Sequence, residues 1–89
     1  MKIKLELFGA SRDLSNNDHL EIEVQDKASI DDLRNEIIKY IDKNFRGNEA
    51  FIKVVKSSAF CSENNEIISD NYKITKDQKI GIIPPIGGG

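Results

Sequence analysis

Eighty-nine residues suffice for one domain with a single modest core and not for two. With 38% apolar and 31% charged residues the composition is that of a folded globular chain and argues against disorder. The formal charge of -2, with acids and bases interspersed, argues against a nucleic-acid partner, and no apolar run approaches the roughly 20 residues of a membrane span.

Residues 2–8 alternate, with Ile3, Leu5 and Leu7 on one side and Lys2, Lys4 and Glu6 on the other, which predicts a half-buried strand. A secretory signal would be continuously apolar here, so the expected location is the cytoplasm. Gly9 ends the strand, and residues 11–18, rich in Asn, Asp and Ser, are expected to form a turn. Alternation resumes at Leu20, Ile22 and Val24, giving the second arm of a long hairpin. His19 is the only histidine, and a turn or strand-edge position accounts for it.

After a turn at Asp26, Lys27 and Ala28, Ser29 with Asp32 three residues on reads as a helix N-cap of the capping-box kind. Ile30, Leu33, Ile37, Ile41 and Phe45 then form one apolar stripe over about four turns, and Gly47 closes the helix. Such a stripe packs on a sheet. Residues 51–56 are β-prone, and the expected strand lies near residues 58–62, with 51–56 as its lead-in or as an extra short strand. A turn at Glu63, Asn64 and Asn65 precedes a short strand at residues 66–68, residues 70–74 are a loop or a single helical turn, and the last strand covers residues 79–83. Cys61 is the only cysteine; it excludes an internal disulfide and multi-cysteine metal sites and reads as a small buried residue.

The sequence then closes on Pro84, Pro85, Ile86, Gly87, Gly88 and Gly89. Two prolines hold the chain extended as it leaves the last strand, and glycines without Cβ can thread a channel too narrow for side chains. At about 3.3 Å per extended residue, such a tail would carry a carboxylate on Gly89 roughly 20 Å beyond Ile83. No nucleophile–base pair or metal constellation stands elsewhere, so no catalytic residue of its own and no bound metal or cofactor is expected. The order β-β-α-β-β-β, with the first and last strands side by side, predicts an α+β, β-grasp (ubiquitin-like) domain over residues 1–83, a mixed sheet of four to five strands carrying one main helix, and a flexible tail over 84–89.

The chain resembles the small subunit of molybdopterin synthase, a β-grasp sulfur carrier known as MoaD. The resemblance covers essentially the whole chain and is strongest where an apolar strand, Ile82 and Ile83, runs into Pro84-Pro85-x-x-Gly88-Gly89. Weaker matches lie at Phe8, at Arg12-Asp13-Leu14, at the helix start Ser29-Ile30-Asp31-Asp32-Leu33 and at Asn64. Two features depart from it: Asp77-Gln78 stands where Gly-Asp is common, and Gly87 adds a third glycine.

The resemblance implies that a ubiquitin-activating-type adenylyltransferase uses ATP to activate the Gly89 carboxylate. A sulfur donor protein then converts it to a thiocarboxylate. The tail, Gly88, Gly87, Ile86, Pro85 and Pro84, enters the active site of the synthase large subunit, in a heterotetramer, and sulfur passes to the molybdopterin dithiolene. Partners must also recognise the body. Ile80 and Ile82 point one way and Gly81 and Ile83 the other, so Ile83 with Phe8 or Phe60 is expected to form an apolar docking patch continuous with the tail base; the competing reading makes these residues secondary core. Three alternatives stay open: a sulfur carrier for thiamin thiazole, amino acid or tRNA thiolation; a ubiquitin-like protein modifier; and a plain interaction domain.

Overall fold

The computed structural model describes residues 1–15 and 18–84, with backbone alone at 10, 12 and 13. Alternation builds its centre. Strand β1 (Lys2–Leu7) buries Ile3, Leu5 and Leu7 and pairs antiparallel with β2 (His19–Glu23), Lys2 opposite Glu23 and Glu6 opposite His19. On its other edge β1 runs parallel to the last strand, β7 (Gln78–Ile83), with Leu5 beside Ile80 and Leu7 beside Ile82. A parallel pair needs a crossover, and the crossing chain carries the helix α1 (Ile30–Asn44). Strand β4 (Ala59–Cys61) pairs antiparallel with β7 and with β5 (Ile67–Ile68), giving a mixed five-stranded sheet in the order β2-β1-β7-β4-β5. This is the β-grasp arrangement.

Helix α1 starts where its local chemistry says it should. The Ser29 hydroxyl accepts from the Asp32 N–H at 3.1 Å while the Asp32 carboxylate accepts from the Ser29 N–H at 3.0 Å, so two otherwise unpaired donors are satisfied. Ile30, Leu33, Ile37 and Ile41 are all buried against the sheet. At its end the Gly47 N–H reaches back to the Ile41 carbonyl with φ +67°.

Three segments depart from the expectation. Residues 51–56 are not a strand: Glu49–Ser57 is a second helix, α2. The Asn48 side-chain oxygen accepts from the N–H groups of Ala50 (2.9 Å) and Phe51 (3.2 Å), and this cap, with Val55 buried four residues after Phe51, outweighs the strand preference of the β-branched residues. The Phe51 ring meets Phe45 edge-on at 5.0 Å, locking α2 to the end of α1. Second, the polar turn begins with a 3-10 helix, Gly9–Leu14. Its Leu14 joins the core and its carbonyl accepts from the Tyr40 hydroxyl at 3.0 Å. Third, residues 70–74 end in a strand, β6 (Lys73–Ile74), which pairs with β3 (Ala28–Ser29) in a two-stranded ladder of its own.

Candidate functional site

The sheet buries one face under α1 and turns the other outward, so the register decides what the outer face carries. Lys2, Lys4 and Glu6 follow one another along β1, with Phe8 just past its end; Lys79, Gly81 and Ile83 along β7; Ala59 and Cys61 on β4; and Ile67, opposite Cys61, on β5. On β2 the same face carries His19, Glu21 and Glu23. It divides in two. The half at the start of β7 is charged, and the half at its end, where the chain leaves for Pro84, is apolar.

In the charged half Lys2 and Lys4 stand opposite Glu23 and Glu21. The Lys79 ammonium lies 3.0 Å from the Glu6 carboxylate, and that hydrogen bond with its charge attraction raises the Lys79 pKa above the ordinary value and keeps it protonated. The backbone N–H groups of Lys79 and Lys2 donate to Glu63 and Asp77, each at 2.8 Å, so side chains from neighbouring turns pin the start of the sheet's central strands.

The apolar half is built around Gly81. A Cβ there would stand 2.7 Å from Cys61 Sγ and 2.8 Å from Phe8 Cε2, so both side chains lie directly over the strand. Phe8 nevertheless keeps 42% of its surface exposed, Ile67 keeps 67%, and Ile83 is half-buried. Phe8, Cys61, Asn65 and Ile83 line a shallow depression of about 320 Å³. Pro84, the first tail residue, is buried with its ring carbons 3.7 and 3.8 Å from where a Cβ on Gly9 would stand. Gly9 itself has φ +55°, a conformation that glycine adopts at little cost, and the chain turns away from β1 there beneath Pro84. The tail therefore leaves from a fixed base at the margin of the apolar half.

Of the residues singled out in the sequence, Ile83, Phe8 and Pro84 come together at this corner, whereas Pro85, Ile86, Gly87, Gly88 and Gly89 lie outside the described residues. Phe60 is corrected. It stands opposite Ile82, on the core face, 1% exposed, with the Arg34 guanidinium over its ring at 5.1 Å, and contributes nothing to an outer patch. Arg34 is held there by the Ser58 carbonyl at 3.0 Å and by the carboxylates of Asp31 and Asp70, both at 3.3 Å. Cys61, Asn65 and Ile67 belong to the apolar corner and were not assigned to it. For Ile67 a signal existed: of two adjacent apolar residues in one short strand, one must face out.

His19 begins the edge strand, its Nδ1 3.2 Å from the Asp18 carboxylate, which holds the Asp18 pKa below the usual value. Among the described residues no group of three His, Cys, Asp or Glu is placed to hold a metal, and no helix is long and apolar enough to cross a membrane. A larger depression, about 710 Å³, lies between α1 and the turn after β2, lined by Asp26, Asp32 and Glu36 against Lys27 and Lys39. It sits at the end of the sheet where the Val24 N–H bonds to Met1, away from the tail base.

Comparison with known proteins bears on family and fold. The model of the ThiS family matches residues 5–89. Among solved structures, the fold is similar to a putative molybdopterin converting factor subunit 1 from Pyrococcus furiosus (25% identity, 96% of this chain and 98% of that one, TM-score 0.69). It is also similar to SAMP1 from Haloferax volcanii (13% identity, 100% of both chains, TM-score 0.67). A third likeness is to a chain in the complex of subunits 1 and 2 of the molybdopterin-converting factor from Helicobacter pylori (17% identity, 100% of both, TM-score 0.55). Among curated proteins none matches the sequence.

Proposed function

Because this chain belongs to the ThiS family, we propose that it works as a sulfur carrier whose Gly89 becomes a thiocarboxylate, and that the sulfur goes to the dithiolene of molybdopterin. The observation that carries this reading is the family match running through residue 89, across Gly88 and Gly89, together with a tail base fixed on Gly9 beside an apolar face. The molybdopterin branch is supported by the Pyrococcus furiosus likeness at 25% identity and by Pro84-Pro85, which the resemblance associates with that branch.

The chemistry follows from the tail. A carboxylate is a poor electrophile, so the Gly89 oxygen first attacks the α-phosphate of ATP on a partner adenylyltransferase, releasing pyrophosphate and leaving an acyl-adenylate. The terminal sulfur of a persulfide donor then attacks the acyl carbon and expels AMP, and a thiol cleaves the resulting sulfur–sulfur bond to leave the thiocarboxylate. Each step takes place in a partner's site, with the glycines passing through the channel and the apolar corner docking the body. This chain contributes position: β7 is central in the sheet, so the tail base is held by strands on both sides. The second partner is a synthase large subunit, as in the subunit 1 and 2 complex from Helicobacter pylori. The setting is the cytoplasm.

The test is the intact mass of the chain after incubation with ATP, the cognate adenylyltransferase and a persulfide donor. Replacement of one oxygen by sulfur is expected, and none in a version lacking Gly88 and Gly89. An Ile83→Asp variant that remains folded should lose binding to the large subunit. An unchanged mass with a working adenylyltransferase would refute the carrier reading; lysine-linked adducts in its place would make the protein a modifier.

A further inference from the structure

Glycine in the interior of a central strand is destabilising relative to alanine, and it marks a place where another group approaches the backbone closely. Gly81 is such a glycine. Its φ is not among the positive values of the described residues, which belong to Gly9, Gly47, Lys27, Arg46 and Asn65, so the strand conformation itself is open to alanine. What alanine would lack is room, because its Cβ would fall 2.8 Å from Phe8 Cε2 and 2.7 Å from Cys61 Sγ.

The two neighbours would not yield equally. Cys61 is buried on the adjacent strand, whereas the Phe8 ring is 42% exposed and can swing outward. The Phe8 backbone stays where it is, since its carbonyl accepts from both the N–H (3.2 Å) and the hydroxyl (2.6 Å) of Ser11. The ring is therefore what changes on the outer surface, while the Cys61 Sγ, 2.7 Å from the added Cβ, must shift as well, a strain that appears in the unfolding midpoint.

We infer that Gly81 is a positioning residue for partner docking: its missing Cβ lets the Phe8 ring close onto β7, beside Ile83 and the tail base, and a larger residue would push the ring off the surface that the partner reads. This rests on the carrier reading. The partner it implies is the adenylyltransferase, presenting an apolar surface at the mouth of a channel that admits glycine. The role belongs to Gly81 through Phe8, so substitution weakens docking and leaves the tail's reactivity intact.

The experiment compares the wild-type chain, Gly81→Ala, Phe8→Ala and the double variant in thiocarboxylate formation over a range of carrier concentrations, with thermal unfolding of each. Truncating an aromatic that anchors an interface is worth about tenfold or more in affinity, so KM should rise about tenfold in each single variant at unchanged kcat. The double variant should be no worse than Phe8→Ala alone, because Gly81 acts only through that ring. In the isolated wild-type chain the Gly81 Hα resonances should carry a ring-current shift that Phe8→Ala removes, a readout that survives if Gly81→Ala fails to fold. Wild-type KM in Gly81→Ala, additive losses in the double variant, or no ring-current shift would each overturn the inference while leaving the carrier reading standing. A wild-type chain that takes up no sulfur would overturn both.

Discussion

Truncating Phe60 and truncating Phe8 should give opposite phenotypes, although both are aromatic residues close to β7. Phe60 is 1% exposed beneath α1 and under the Arg34 guanidinium. Phe60→Ala leaves a cavity that costs about 3–5 kcal/mol, with the lost cation–π contact adding about 0.5–1 kcal/mol. Against a total stability of about 5–15 kcal/mol for a small domain, this removes a large share. At about 4 °C or more per kcal/mol, the low end of 3 kcal/mol lowers the unfolding midpoint by at least about 12 °C. Phe8 already exposes 42% of its surface, so Phe8→Ala should cost about 1 kcal/mol or less and spare the fold while weakening partner docking. Urea unfolding of both variants, read against their rates of thiocarboxylate formation at a temperature where Phe60→Ala is still folded, separates the two. Phe8→Ala destabilising as strongly as Phe60→Ala, or Phe60→Ala unfolding at the wild-type midpoint, would refute the assignment of faces.

Asn48→Ala removes the acceptor for two backbone N–H groups at the start of α2 and should cost about 1 kcal/mol, measured by urea midpoint, with exchange of the α2 amides accelerated before those of α1. Ser29→Ala should likewise cost about 1 kcal/mol by loss of the α1 cap. The same cap predicts a pH dependence: the backbone hydrogen bond from Ser29, then its side-chain contact, lowers the Asp32 pKa below the ordinary value of 3.8. A depressed carboxyl stabilises the fold above its unfolded pKa, and that stabilisation is lost as pH falls through the folded value. Ser29→Ala removes the hydroxyl but keeps the backbone N–H that is the larger cause, so the Asp32 titration seen by NMR should move up only part of the way toward the ordinary value, and a complete return to it would refute the backbone bond as the main cause.

What the sequence made legible follows from which residues are periodic. Ile3, Leu5 and Leu7, then Leu20, Ile22 and Val24, then Ile80 and Ile82 are long enough runs for a period of two to declare both strand and face, and Ser29 with Asp32 marks a helix start through local hydrogen bonds alone. Residues 51–56 defeated this reasoning because Ile52, Val54 and Val55 carry β-branched propensity. The decisive signals, the Asn48 cap and the Phe51–Val55 spacing, are local too, but their energy is realised only when Phe51 meets Phe45. Phe60 failed for another reason. Its strand has three residues, two of them buried, on opposite faces of the sheet, so burial and alternation disagree and only the pairing with Ile82 decides which way the ring points.

The apolar corner shows why this matters for the site. Phe8 and Cys61 bury a residue on the face that should be solvated, so Gly81 is enclosed from the outside, and no periodicity announces it. On the proposed carrier reading, a surface that docks partners and releases them needs apolar area without joining the core, and the sheet would supply it by closing one ring over a position with no side chain. The proposed tail chemistry rests on a linear motif, Pro84 to Gly89, whereas the apolar corner at the tail base depends on a contact between residues 8 and 81, which only the parallel register of β1 and β7 brings together.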